Sequence, residues 1–350
     1  MLAPSLLPRN LEAAFRDVES EKASTRVSAV RDVVRHGLAG AEIRARAIPV
    51  LEKALRDDVV SQVRAAAALG LADLGAAEAL ATLLVAVEDA DPHVRQMALS
   101  ALGEIGDARA AQRLSRALRD ERPEVRYQAV IAYARVLRDD PREVSNALSH
   151  ALGDPDEAIR YIAMRVAEEH GVDGEPLRDA RIAARAEELV DAPDVAVSVV
   201  AAIYLARIGS TKGRDVVLAV IANRKRTPEI EDEQACVDLA GELSIRDAVP
   251  DLERRVWGTR RALRTILSWG AGDAASCAWH ARIALARMGH ARARAEILDD
   301  LGSWRRETRE AAVVAAGRAR LREARGALER LGESVDGALV REALVRLTVG

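Results

Sequence analysis

The sequence predicts an all-α fold, a right-handed α-solenoid of about nine to ten helical pairs running as a single array through residues 1–350. Three observations carry that prediction. The chain holds 69 alanines but only 3% aromatic residues, a composition suited to closely packed helices and poor in large rings. The 11 prolines and 22 glycines fall mostly between apolar periodic stretches, as helix punctuation does. A Val-Arg pair recurs at 63, 94 and 125, a period of 31, and Ile159-Arg160 continues it after 34.

The elements follow in order from that register. A cap helix starts after Asn10, within an N-terminal cap spanning 1–22. With Val63 as position zero of a row, equivalent starts fall at Thr25, Val63, Val94, Val125, Ile159, Val197, Asp232, Cys277, Thr308 and Leu339. Four residues on stand Ala29, Ala67, Ala98, Ala129, Ala163, Ala201, Cys236, Ala281, Ala312 and Ala343, all small enough for neighbouring helices to approach closely. Apolar residues at offsets zero, four, seven, eight and eleven make one buried stripe. Twelve residues on, Gly37, Gly75, Gly106, Gly171, Gly209 and Gly289 are expected to end the helix in the left-handed conformation. Second helices run between these, as in "AAEALATLLVAV" (76–87) and "ARAAQRLSRAL" (108–118). A C-terminal cap is expected over 335–350.

The stretches "DPHVRQMALSALGEIGDARAAQRL" (91–114), "GDPDEAIRYIAMRVAEEHG" (153–171) and "RDAVPDLERRV" (246–256) resemble HEAT repeats, in particular the bacterial phycobilisome-lyase-like subtype. The resemblance implies that the Val-Arg helix is the inner helix of each pair and lines the concave face. It also implies a structural ladder of Arg64, Arg95, Arg126, Arg160 and Arg309, bonded to acidic residues or carbonyls of the turns, with Arg26 following Thr25 similarly. The ladder breaks at Ser198, Glu233 and Ala278.

One repeat departs from the rest. From Asp232 to Cys277 is 45 residues, and the excess over the 31-residue period is expected as an insertion at 257–270. It ends the stretch "RRVWGTRRALRTILSWG" (254–270), which has five arginines, two tryptophans and no acid. Per-repeat insertions project from one face or edge of such arrays, often beside the binding surface. Candidate partner-binding residues are therefore Arg254, Arg255, Trp257, Arg260, Arg261, Arg264 and Trp269. Three rings placed two residues past a row start join them: Tyr127, Tyr161 and Trp279. The competing reading is a helix packed on the array edge, with solvated arginines outside and rings packed between helices.

The net charge of −3 gives no global nucleic-acid signal, but charge is uneven. Residues 254–309 carry 12 basic and 5 acidic side chains, whereas 139–194 carry 6 and 15. The 48 arginines against 4 lysines fit a GC-rich bacterial gene, so no single arginine is functional by its type alone. In "PEIEDEQACVDLAGEL" (228–243), Glu231, Asp232, Glu233, Asp238 and Glu242 sit at and beyond a helix start, where acids favour the dipole and Arg254 and Arg255 are near enough to pair.

Enzyme signals are missing. The histidines at 36, 93, 150, 170, 280 and 290 are never followed by Glu, unlike the His-Glu pairs of HEAT-like deoxyhypusine hydroxylases. HExxH, P-loop, GxSxG and paired-cysteine zinc spacings are absent too. Cys236 and Cys277 occupy core offsets and make no disulfide framework, which fits a cytoplasmic setting. No charged and apolar leader and no stretch of membrane-spanning length is read. No cofactor or metal is expected. The function expected is a non-enzymatic scaffold or adaptor for another protein with an acidic surface, with self-association a further expectation. The alternative is nucleic-acid binding in the manner of HEAT-like alkylpurine DNA glycosylases, and a weaker alternative is a chaperone resembling bilin lyases.

Overall fold

The computed structural model describes residues 9–171, 174–258 and 272–348. Among them lie twenty α-helices, several short 3₁₀ turns and no strand. None of these helices is long and apolar enough to cross a membrane. The chain divides into two compact units, Met1–Arg185 and Ala186–Gly350.

In the first unit the Val-Arg helices are α2 (Ala23–Gly37), α4 (Ser61–Asp73), α6 (Pro92–Ile105), α8 (Pro123–Val136) and α10 (Glu157–Glu169), each packed on the next. The partner helices are α3 (Ala41–Asp57), α5 (Leu80–Ala86), α7 (Ala111–Ala117) and α9 (Pro141–Ala151), with α1 (Leu11–Asp17) in front; the boundary between the units falls within α11 (Ala180–Leu189). Asn10 caps α1 with its side chain, as a helix start there requires. The second helices are shorter than their apolar pattern suggests. Those after Gly75 and Gly106 begin as 3₁₀ turns at Ala77–Ala79 and Ala108–Ala110 before widening into α5 and α7.

The second unit repeats the scheme. Its Val-Arg-type helices are α12 (Val195–Arg207), α14 (Ile230–Glu242), α16 (Gly272–Arg287), α18 (Arg306–Arg318) and α20 (Gly337–Thr348). Between them run α13 (Arg214–Ile221), α15 (Val249–Trp257), α17 (Ala291–Asp300) and α19 (Arg325–Arg330). Helix α12 is buried from Val197 to Ala206 without a break, including Tyr204 at 0% exposure, as a run apolar but for Ser198 demands.

The small-residue column is the packing axis of both units. All ten residues, from Ala29 through Cys236 to Ala343, are buried, none above 3% exposure. Around them the stripe supplies Val63, Leu71, Val94 and Leu102 in the first unit and Val197 in the second, and the partner helices add Leu114 in the first and Leu252, Ile297 and Leu328 in the second. Each such side chain contributes roughly 1.5–3 kcal/mol on burial. Where the helices come closest, even an alanine would collide. A Cβ on Gly241 would stand 2.6 Å from the Cα of Ala284.

The glycine column needs a correction. Gly75, Gly106, Gly209 and Gly289 have φ of 57°, 70°, 89° and 92°, as a left-handed helix end requires. Gly37 and Gly171 do not have positive φ. Gly37 closes α2 in helical conformation and is small because Leu74 lies against it, where a Cβ would meet Cδ2 at 2.9 Å. At the same offset in two rows without glycine, Ser244 (φ 52°) and Arg320 (φ 53°) adopt the left-handed conformation themselves.

Candidate functional site

The ladder arginines are consumed internally. Arg64 donates Nε and Nη2 to the two carboxylate oxygens of Asp89 at 2.8 Å, and Nη1 to the carbonyl of Asp58 at 2.9 Å. Arg95 makes the same fork to Asp120 and reaches the carbonyl of Asp89. Arg126 does so to Asp154 and the carbonyl of Asp120. Arg26 forks to Asp58. Arg160 donates to the carbonyls of Asp154 and Pro155, with Glu157 at 3.6 Å.

Each of these aspartates is thus held twice, by its carboxylate from the preceding repeat and by its carbonyl from its own. Its carboxylate also accepts the amide two residues on, as Asp89 does from Asp91. Burial raises the Asp58, Asp89 and Asp154 carboxyls, but the arginine fork and that backbone amide outweigh it and hold all three below the usual range. The aspartates stand six residues before their own arginine, at 58, 89, 120 and 154, a column visible in the sequence yet anticipated only as acidic residues in the turns.

In the second unit other chemistry fills the ladder positions. Ser198, fully buried, donates to the carbonyl of Val190 at 2.6 Å and accepts from Lys225 at 2.7 Å. Glu233 pairs with Arg255, and Ala278 is buried. Arg309 donates to the carbonyls of Ser303, Trp304 and Ser334.

The candidate partner-binding residues are scattered. Arg255 donates to the carbonyls of Ile221 and Val220 at 2.6 and 2.9 Å, closing the C-terminus of α13, and its exposure is 9%. That work leaves it no free face for a partner. Trp257 donates to Glu296 at 2.9 Å, lies under Arg292 at 4.3 Å and packs on His290. Arg254 is exposed and pairs with Asp251, not with the acids at the start of α14. Tyr127 and Tyr161 are half-buried on α8 and α10. Trp279 is half-buried beside His280, with Arg318 5.3 Å over its ring. Arg260, Arg261, Arg264 and Trp269, and most of the expected insertion, lie outside the described residues.

Two open hollows lie on the faces of the Val-Arg helices, one in each unit. The first, about 630 Å³, is framed by α2, α4 and α6. Val27, Ala66, Met97 and the 43%-exposed Leu69 make it apolar, with Arg31 and Asp73 as charged lining. The second, about 380 Å³, is lined by Asp238 and Glu242 of α14, Arg287 of α16, Arg318 and Arg320 at the end of α18, and Arg346 of α20. Asp238 accepts from Arg318 at 2.6 Å and engages His280 at 2.8 Å, while Glu242 faces Arg287 at 3.5 Å. Burial pulls the Arg287 guanidinium below its ordinary range; Glu242 opposes this, and the like charges of Arg320 and Arg318 deepen it.

Arg287, Arg318 and Arg320 do not stand out in the repeat register as site residues. One signal was available: the glycine column has an arginine at 320. Trp304 does not stand out either, though it is 83% exposed in a turn with Arg305 stacked on it at 4.8 Å. Among the described residues no group of three His, Cys, Asp or Glu side chains is placed to hold a metal ion.

Stacked helical pairs of this kind, with their arginines turned into the inter-repeat turns, define a helical-repeat protein. Residues 48–134 match the family model of HEAT repeats. Among solved structures it is similar to the complex of CpcE and CpcF of phycocyanin lyase from Nostoc sp. PCC7120, at 19% identity over 69% of this chain and 90% of that one, TM-score 0.44. An engineered protein matches at 18% identity over 96% of this chain and 97% of its own, TM-score 0.43. A designed armadillo repeat protein in complex with the peptide (KR)4 matches at 21% over 55% and 97%, TM-score 0.40. These are likenesses of fold alone. No curated protein matches the chain.

Proposed function

We propose that this protein is a non-enzymatic cytoplasmic scaffold that holds a segment of another protein on the exposed faces of its Val-Arg helices. One observation carries the reading. The ladder arginines are spent inside the turns, and the helix faces they leave behind form an open hollow in each unit, about 630 and 380 Å³. Open, rigidly backed surfaces of this kind suit extended partners. The Arg-lined hollow of the second unit supports a partner with acidic groups, and the arginines of 260–264 extend the basic character of the same chain region.

Affinity capture from the native source tests this with three proteins: wild type, Leu69→Glu with Met97→Glu, and Arg260, Arg261 and Arg264 changed to Glu. The expected result is a defined partner held by wild type and released by at least one variant. Identical recovery from all three would sink the reading. The same arginines favour one competing reading, nucleic-acid binding. A DNA titration at two salt concentrations separates it, because phosphate contacts give a steep salt slope. Absence of binding at low salt removes it.

A further inference from the structure

The hollow of the second unit has more positive charge than its own acids neutralise. Four guanidinium groups line it against two carboxylates, and the fourth, Arg346, is paired with Glu342 beside it at 2.7 Å. Asp238 is already occupied by Arg318 and His280. Glu242 sits 3.5 Å from Arg287, too far for a strong ionic hydrogen bond. Arg320 is exposed at the rim, and its guanidinium makes no ion pair or hydrogen bond among the described residues.

Arg320 is also conformationally out of place. It adopts φ 53° at the offset where six other rows have glycine, four of them with positive φ. A residue with a β-carbon is strained there, and glycine would remove that strain. Strain kept at an unpartnered arginine beside a cavity points to use of the side chain. The rest of the lining narrows the ligand. The buried Ile283 and Ala284 make the apolar floor, and Val345 adds an aliphatic surface 61% exposed. Asp238 and Glu242 would repel a continuous run of phosphates, whereas one carboxylate next to an aliphatic group meets both the free charge and the apolar wall.

We infer that this hollow takes an acidic peptide segment, seating a Glu or Asp carboxylate between Arg320 and Arg287 with a neighbouring aliphatic side chain against Val345 and Ile283. This rests on the scaffold reading and names the chemistry of its partner at one of the two hollows.

The test uses the full chain and a fluorescently labelled peptide of repeated Gly-Leu-Glu triplets, read by anisotropy. The peptide should bind wild type, and its Gly-Leu-Gln counterpart should not. Arg320→Gly and Arg287→Gln should each weaken binding about tenfold, the loss of one charge-assisted contact. Arg320→Gly should at the same time raise the melting temperature, so weaker binding in that variant is not misfolding. Equal binding of the Gln peptide, or unchanged affinity in both variants, overturns the inference. So does a lower melting temperature for Arg320→Gly, which would make Arg320 structural. Oligodeoxythymidine that binds more tightly, with the same dependence on Arg320, overturns it in favour of phosphate. If wild type binds no peptide at all, the acidic-segment inference fails. The scaffold reading then stands or falls separately on capture with Leu69→Glu and Met97→Glu.

Discussion

The two units join consecutive repeats in different ways. In the first, one device is copied: Arg26, Arg64, Arg95 and Arg126 each fork onto the aspartate of the next turn. In the second, the equivalent positions hold a buried serine with a lysine, a glutamate paired to Arg255, an alanine, and Arg309, which donates to turn carbonyls with no aspartate fork. The core does not share this difference, since the small-residue column is buried throughout. Packing is therefore the common requirement, and the polar lock is exchangeable. The hollow of the second unit draws its arginines both from a helix without the repeated arginine, at 287, and from the end of the helix that keeps it, at 318 and 320.

Acid should break the comparison most sharply. The Asp58, Asp89 and Asp154 carboxyls are held below their ordinary values in the folded first unit. Groups with depressed folded values contribute stability above the unfolded carboxylate range, near pH 4, and lose it as pH falls through the folded values. The first unit should lose structure below about pH 4 before the second does. All four tryptophans, at 257, 269, 279 and 304, lie in the second unit, so their fluorescence reports it alone. Helical circular dichroism should fall while tryptophan emission holds; coincident transitions would refute the ordering.

A single break in the ladder comes next. Asp89→Ala strands Arg64 and frees the turn, at a cost of about 2–3 kcal/mol for a partly buried pair. Urea unfolding followed by circular dichroism measures it, and a loss below about 0.5 kcal/mol would place the pair among ordinary surface ion pairs. Gly241→Ala forces a Cβ to 2.6 Å from the Ala284 backbone and should cost about 2 kcal/mol. The matching Gly103→Ala meets Ala132 at 3.0 Å and should cost less. The reverse order would mean that the second unit yields more readily at its helix crossings.

Ser198→Ala removes the substitute lock and leaves the Val190 carbonyl and the Lys225 ammonium with one partner fewer. The expected loss is about 1–2 kcal/mol, visible in tryptophan emission. The smallest effect has the opposite sign. Ser244→Gly relieves a left-handed residue and should stabilise the second unit by about 0.5–1 kcal/mol. No gain would mean that hydrogen bonding already compensates the backbone.

What was legible in the sequence was whatever recurs. The Ala29-to-Ala343 column, the helix order and the arginine positions were all readable, because one steric need repeats at one offset. The aspartate partners were readable in the same register at 58, 89, 120 and 154, but only their acidic class was anticipated. Arg255, read as a partner-binding candidate, bonds within its own unit. Its capping of α13 depends on carbonyls about 34 residues back, which no local spacing announces. The second hollow was illegible for the same reason. It draws on residues from Asp238 to Arg346, brought together by helix stacking, and its one sequence mark is the arginine in the glycine column.

The doubly held aspartate also governs how such a chain can change length. Within a turn, aspartate and its own arginine are always six apart, because both bind one rigid loop. From an arginine forward to the next aspartate the distance is 32, 25, 25 and 28 residues. The six-residue loop thus acts as a coupling of fixed gauge, and the helices between couplings are free to grow or shrink. An array joined this way can accept added residues between two turns without transmitting a register error to its neighbours.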